Sequence, residues 1–91
     1  MKYKITITQN AVLDSLKLAR SEPASFKKYN QLLRELEDHP TTGTGHPHML
    51  RADKAGKWAR SISKKHRLVY EIIEKEVIVL VLSTYGHYDD K

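Results

Sequence analysis

Cysteine is absent from the chain, which excludes disulfides, thiolate metal sites and a cysteine nucleophile. No apolar run approaches the roughly 18 residues of a membrane span; the longest, Val77–Leu82, has the length of a strand. Met1–Thr8 alternates polar and apolar residues, unlike a signal peptide, so a cytoplasmic location without membrane contact is expected. Gly43 and Gly45 precede a candidate strand rather than a helix, so no phosphate-cradling glycine loop is present. No serine sits in a nucleophile motif, and there are no repeats, low-complexity tracts or linkers.

What is present fits an ordinary globular domain. The chain has 91 residues, 40% of them hydrophobic and 30% charged. One domain spanning 1–91 follows, with one core and a shallow site rather than a deep chamber. The formal charge is +5. Such a field attracts polyanions or acidic protein partners, and it also serves solubility alone.

Lys2–Thr8 alternates with period two, placing Tyr3, Ile5 and Ile7 on one face of a strand. Asn10 is a candidate cap for a helix whose apolar residues are Val12, Leu13, Leu16 and Ala19. Pro23 opens a second helix. Phe26, Tyr29, Leu33 and Leu36 form its stripe, with Leu32 beside it, and Pro40 ends it near Asp38. Thr41–Pro47 reads as loop. Short strands follow at Met49–Arg51, Lys57–Ser63, His66–Ile73 and Glu76–Thr84, the last two joined at Glu74-Lys75. Val77–Leu82 is apolar on both faces and is expected to be central and covered on both sides. The order implies an α+β fold: an N-terminal strand, a two-helix hairpin, then a mostly antiparallel twisted sheet.

The chemistry gathers around two stretches, His66–Tyr70 (HRLVY) and Tyr85–Tyr88 (YGHY). A turn centred on Glu74-Lys75 sets position 67 near 82 or 83, so the tail projects past the end that carries Arg67. Arg60, Lys64, Lys65, Arg67, His87 and Tyr88 then share a rim, to which the preceding loop adds His46, His48 and Arg51. Guanidinium groups match phosphate with paired hydrogen bonds, and histidine suits proton transfer near neutrality. A phosphate clamp with two proton-transfer groups is what RNA cleavage by its own 2′-hydroxyl needs, with no metal or other cofactor. His46 and His48, with His39, His66 and Asp89-Asp90, match no strong metal signature; no metal site is expected. Read singly, each of these residues is also an ordinary surface or salt-bridging side chain.

The stretch from Gly43 to Tyr70, GTGHPHMLRADKAGKWARSISKKHRLVY, followed by His87-Tyr88, resembles the RelE-type mRNA interferases of bacterial toxin–antitoxin modules, closest to their YoeB/Txe branch. The match is carried by Gly43, Gly45, Pro47, Leu50, Gly56, Trp58, Arg60, Ile62, His66–Tyr70 and His87-Tyr88. The resemblance implies a RelE-like, microbial-RNase-like fold and a toxin that cuts translated mRNA on the 70S ribosome. It also implies a cognate antitoxin as partner, and a homodimer occurs in this branch. Carried over by position, Arg67 stabilises the scissile phosphate, His87 is the general acid and Tyr88 orients the nucleotide or supports the tail. Arg51 contacts phosphate, and Arg60, Lys64, Lys65 and His46 are candidate RNA or ribosome contacts. Two positions depart from the pattern: His48 replaces the loop glutamate expected as general base, and Ser61 replaces a second arginine. A His48/His87 base–acid pair is expected, the alternative being that His48 only positions the nucleotide and the ribosome supplies the missing function. The competing reading is a non-catalytic or ParE-like toxin that binds the ribosome or gyrase without cutting.

Overall fold

Thr8 decides where the first helix starts. Its N–H donates to Val81 O and its hydroxyl to Leu82 O, while the same hydroxyl caps the Ala11 N–H. The helix is thereby tied to the sheet at its first turn. In the computed structural model, which describes residues 2–50 and 56–83, the elements run β1 (Lys4–Ile7), α1 (Gln9–Ser21), α2 (Pro23–Asp38), β2 (His48–Met49), β3 (Lys57–Ser61), β4 (Arg67–Ile73) and β5 (Ile78–Ser83). The five strands form one sheet in the order β1-β5-β4-β3-β2. Only the β1–β5 pair is parallel; the rest are antiparallel. The α+β architecture expected from the sequence is the one observed.

Both helices cover one face of the sheet. Ala11 and Leu18 of α1, Tyr29, Leu32 and Leu36 of α2, and Leu68, Tyr70, Val79 and Val81 of the strands make one buried cluster. Each such aliphatic side chain contributes about 1.5–3 kcal/mol on burial. Because strand side chains alternate, Arg67, Val69 and Glu71 point to the opposite, open face.

Three expectations are corrected. In α1 the inward line is Ala11 and Leu18, whereas Val12, Leu13 and Leu16 are exposed. The Thr8 tether sets the helix rotation, and the small Ala11 allows close approach. The β4–β5 connection is also longer than a two-residue turn: a 3-10 turn at Glu74–Glu76 ends on Val77 with φ 55°. With a bulge near Val69 and Tyr70, this places Ser83 opposite Val69, so Arg67 lies beyond the strand end rather than beside 82 or 83. Finally, β5 lies between β1 and β4 as a central strand should, but only its helix face is fully buried; Ile78 and Leu80 on the other face are half-buried.

Candidate active site

The register of β2, β3 and β4 fixes which basic residues share a face. His48 pairs with Ala59, and Ala59 with Val69. One row further, Ser61 pairs with Arg67. Directly paired residues point the same way. His48, Ala59, Ser61, Val69 and Arg67 therefore all belong to the open face. Two strand spacings across and two residues along separate His48 from Arg67 by about 12 Å between Cα atoms. An extended arginine and an imidazole span that distance, so Arg67 reaches a phosphodiester shared with His48 only by turning outward. Arg67 itself is 3% exposed and held within the fold rather than extended into solvent.

His48 is exposed at the tip of β2. Its Nδ1 lies 2.9 Å from His46 O. A carbonyl oxygen only accepts, so Nδ1 carries the hydrogen, and whenever the ring is neutral its lone pair is on Nε2. That is the tautomer a general base needs. His46, with φ 54°, turns the chain so that its carbonyl meets the ring.

Arg60 stands on the other face. It pairs with Leu68 and is fully buried, so it is not available for RNA contact. This corrects its assignment to the basic rim: adjacent residues of a strand face opposite ways, and Arg60 and Arg67 fall on opposite faces for that reason. Its guanidinium donates to Tyr70 Oη (3.3 Å), Glu35 Oε1 (2.9 Å), Thr44 O (3.4 Å), Thr42 O (2.6 Å) and His39 O. These acceptors match the five N–H donors of the group. A buried cation tolerates the loss of water only when paired and saturated in this way.

Around it the loop from His39 to Gly45 is drawn inward. Thr44 donates its N–H to Glu35 Oε1 (2.9 Å) and its hydroxyl to Glu35 Oε2 (2.7 Å). Those Thr44 bonds, then Gln31 and the Arg60 charge, hold the Glu35 carboxyl below its ordinary range. The Ser61 N–H donates to Gly45 O at 2.7 Å. A Cβ at Gly43 would stand 2.6 Å from Glu35 Oε1, and one at Gly45 2.8 Å from Ser61 O. Both glycines also have positive φ, 114° and 86°, so the Gly-x-Gly spacing answers a close approach of the loop to α2 and β3. Tyr70 Oη completes the cluster by donating to Pro40 O at 2.7 Å, and burial pushes its phenol up.

The β3–β4 turn is anchored separately. His66 Nε2 donates to Glu22 Oε2 at 2.7 Å, joining the turn to the α1–α2 junction. This bond is the main reason the Glu22 carboxyl is held below its ordinary range. Ser63 Oγ accepts the N–H groups of Lys65 and His66, leaving the Lys64 and Lys65 side chains exposed beside Arg67. Arg51, His87 and Tyr88 lie outside the described residues. Among the described residues, no three His, Cys, Asp or Glu side chains meet as metal ligands do, and no helix is long and apolar enough to cross a membrane.

Sequence reasoning did not single out Glu35, Thr44 or Glu22. Glu35 borders an apolar helix stripe, where charged residues are commonplace; its one signal is the Gly-x-Gly loop that must pack against something.

Comparison with known proteins identifies the family and agrees with the fold. The family described as YoeB-like toxin of bacterial type II toxin-antitoxin system matches residues 7–88. Toxin YoeB of Synechocystis sp. is 33% identical over 93% of this chain and 96% of its own length. The YoeB/ParE toxin from Agrobacterium tumefaciens superposes with a TM-score of 0.86 at 30% identity, covering 93% of this chain and 99% of that one. YoeB from Staphylococcus aureus, solved as a dimer and in complex with YefM, gives TM-scores of 0.82 and 0.80 at 27% identity, covering 97% of this chain and 100% of that one. The chain belongs to the YoeB-like toxins of bacterial type II toxin–antitoxin systems.

Proposed function

We propose that the protein is a ribosome-dependent endoribonuclease that cleaves translated mRNA by metal-free transesterification and so blocks translation. The observation that carries this reading is that His48, whose Nδ1 is engaged by the His46 carbonyl, and Arg67 belong to one face of the sheet. In this mechanism neutral His48 Nε2 takes the proton of the 2′-hydroxyl. The oxygen attacks the adjacent phosphorus, and Arg67 stabilises the charge on the phosphoryl oxygens. His87 donates a proton to the departing 5′-oxygen, leaving a 2′,3′-cyclic phosphate. Tyr88 orients the nucleotide or supports the tail, Arg51 contacts phosphate, and His46, Lys64 and Lys65 touch RNA of the message or ribosome.

The +5 charge suits both ribosomal RNA and an acidic cognate antitoxin. The S. aureus relative is found with YefM and as a dimer, and the same two associations are proposed for this chain, in the cytoplasm. Sequencing the 5′ ends of mRNA after brief induction tests the reading. New ends within translated regions are expected for wild type and lost for Arg67→Ala and His87→Ala. Growth arrest with salt-sensitive ribosome association but no new ends supports the non-catalytic alternative instead. That alternative draws on Ser61, which stands opposite Arg67 where the family pattern has a second cation. Arrest of DNA replication rather than translation points to a gyrase binder.

A further inference from the structure

The loop that presents His48 is fastened from within. Carbonyls of His39, Thr42 and Thr44 all turn toward the Arg60 guanidinium. Glu35 grips Thr44 through both its N–H and its hydroxyl, and Arg60 binds Glu35 in turn. Beyond Thr44, Gly45 is bonded to the Ser61 N–H. The next residue is His46, whose carbonyl meets His48 Nδ1. The line of bonds thus runs from the ion pair of buried Arg60 with partly exposed Glu35 to the ring nitrogen that sets the tautomer, and β3 supplies both ends of it, through Arg60 and through the Ala59 pairing with His48.

The geometry points to Glu35 and Thr44 as positioning residues that act on RNA cleavage through His48. This rests on the reading of His48 as the base. Neither residue is on the face that carries His48: both are engaged with Arg60 on the helix-covered side, and their influence passes along the chain through Gly45 and His46. Thr44 is the most informative position, because its hydroxyl is removable without touching the arginine or the backbone bond. In Thr44→Val the Glu35 Oε2 contact is lost, the loop loosens, and the His46 carbonyl no longer holds Nδ1–H at 2.9 Å. The ring then samples both tautomers, and one of them presents N–H where a lone pair is required.

The test combines rates with a direct readout of the ring. Ribosome-dependent cleavage is measured for wild type, Thr44→Val, Thr44→Ser, His48→Ala and the Thr44→Val/His48→Ala pair. The His48 ring is followed by 15N spectra of histidine-labelled protein, assigned by the signals missing in His48→Ala. Thr44→Val is expected to lower kcat by about tenfold, as small misplacements of reacting groups do, with KM nearly unchanged and the thermal midpoint lowered by several degrees, the cost of one hydrogen bond to a carboxylate. Thr44→Ser restores the rate, and Thr44→Val adds no further loss once His48 is alanine. In the spectra, His48 moves from a single Nδ1–H form to a mixture of tautomers. A wild-type rate in Thr44→Val, or an equal loss with and without His48, overturns the inference. Should His48→Ala cleave like wild type, the base assignment falls and the spectra alone decide: an unchanged tautomer in Thr44→Val refutes the clamp, and a mixture upholds it. Glu35→Gln supplies a second variant, with a smaller shift in the same direction expected.

Discussion

The two faces of the sheet use arginine in opposite ways. On the helix-covered face, Arg60 is fully buried and its donors are saturated by Glu35, Tyr70 and loop carbonyls. On the open face, one strand over and one residue row away, Arg67 stands opposite Ser61 and on the side that carries His48. The same chemical group is a structural pivot in one place and a candidate phosphate ligand in the other. What separates them is strand parity, because a shift of one residue moves a side chain from one face of the sheet to the other; both arginines are buried, Arg67 at 3% exposure, but only Arg60 lies under the helices. Counting cations along a sequence cannot make this distinction; the pairing register does.

The sharpest way to break the comparison is to exchange the penalties. Arg67→Ala is expected to lower cleavage by two orders of magnitude or more, the scale on which charge-stabilising groups act, while the purified variant keeps its far-UV circular dichroism. Arg60→Ala takes this donor from three backbone carbonyls and removes one partner each from the Glu35 carboxylate and the Tyr70 phenol. It is expected to cost about 3–5 kcal/mol in urea unfolding, as removal of one partner of a buried ion pair does. If the two substitutions destabilised the fold equally and Arg67→Ala still cut RNA, the two faces would not differ as described.

Gly45→Ala sharpens the picture at the hinge between the faces. The added Cβ meets Ser61 O, and φ 86° disfavours a side chain. A loss of about 1–3 kcal/mol is expected, with a fall in cleavage because the loop leading to His48 is displaced. Thermal unfolding and cleavage assays on one preparation read both.

The helix-covered face also has a pH signature. Glu35 is held below the usual carboxylate range in the folded protein, first by the Thr44 hydroxyl. A group with a lowered folded pKa binds fewer protons when native than when unfolded. The stability it contributes is present above the unfolded pKa, about 4.3 for a glutamate, and is lost as pH falls through the folded value. Unfolding free energy should decline on acidification below about pH 4.5 and decline less steeply in Glu35→Gln. Glu22, lowered by His66, adds to the slope in the same direction, so part of it survives the substitution.

The smallest effect is expected at Val77, a β-branched residue at φ 55°. Val77→Gly loses a half-buried side chain but relieves a left-handed conformation that costs about 1–2 kcal/mol. The net change should stay within about 1 kcal/mol, measurable as a small shift in the unfolding midpoint.

Much of the fold was legible. Alternation in Lys2–Thr8 and the stripe of Phe26, Tyr29, Leu33 and Leu36, with Leu32 beside it, marked β1 and α2 because burial imposes those periods, although Leu32 rather than Leu33 is the buried one. The rotation of α1 was not legible, since Val12, Leu13 and Leu16 look more like a core stripe than Ala11 and Leu18 do. Only the tertiary tether at Thr8 decides between them. The β4–β5 register was misjudged because a left-handed valine gives no turn signal of the kind glycine or asparagine gives. In the site, His48 and Arg67 could be named from residue type and motif. Arg60 falls in the same rim by chain proximity, but strand parity puts it on the other face. Glu35 lies far from the loop in sequence, and its partner Thr44 is an unremarkable loop residue, so their meeting was invisible before the chain was folded.

The most direct measurement is single-turnover cleavage of an mRNA held in the decoding site of purified ribosomes, with His48→Ala compared against wild type. The account predicts 2′,3′-cyclic phosphate ends from wild type and a rate lower by about 10²–10⁴ for the variant, the usual cost of a lost general base. Equal rates, or no cleavage by wild type, would contradict it.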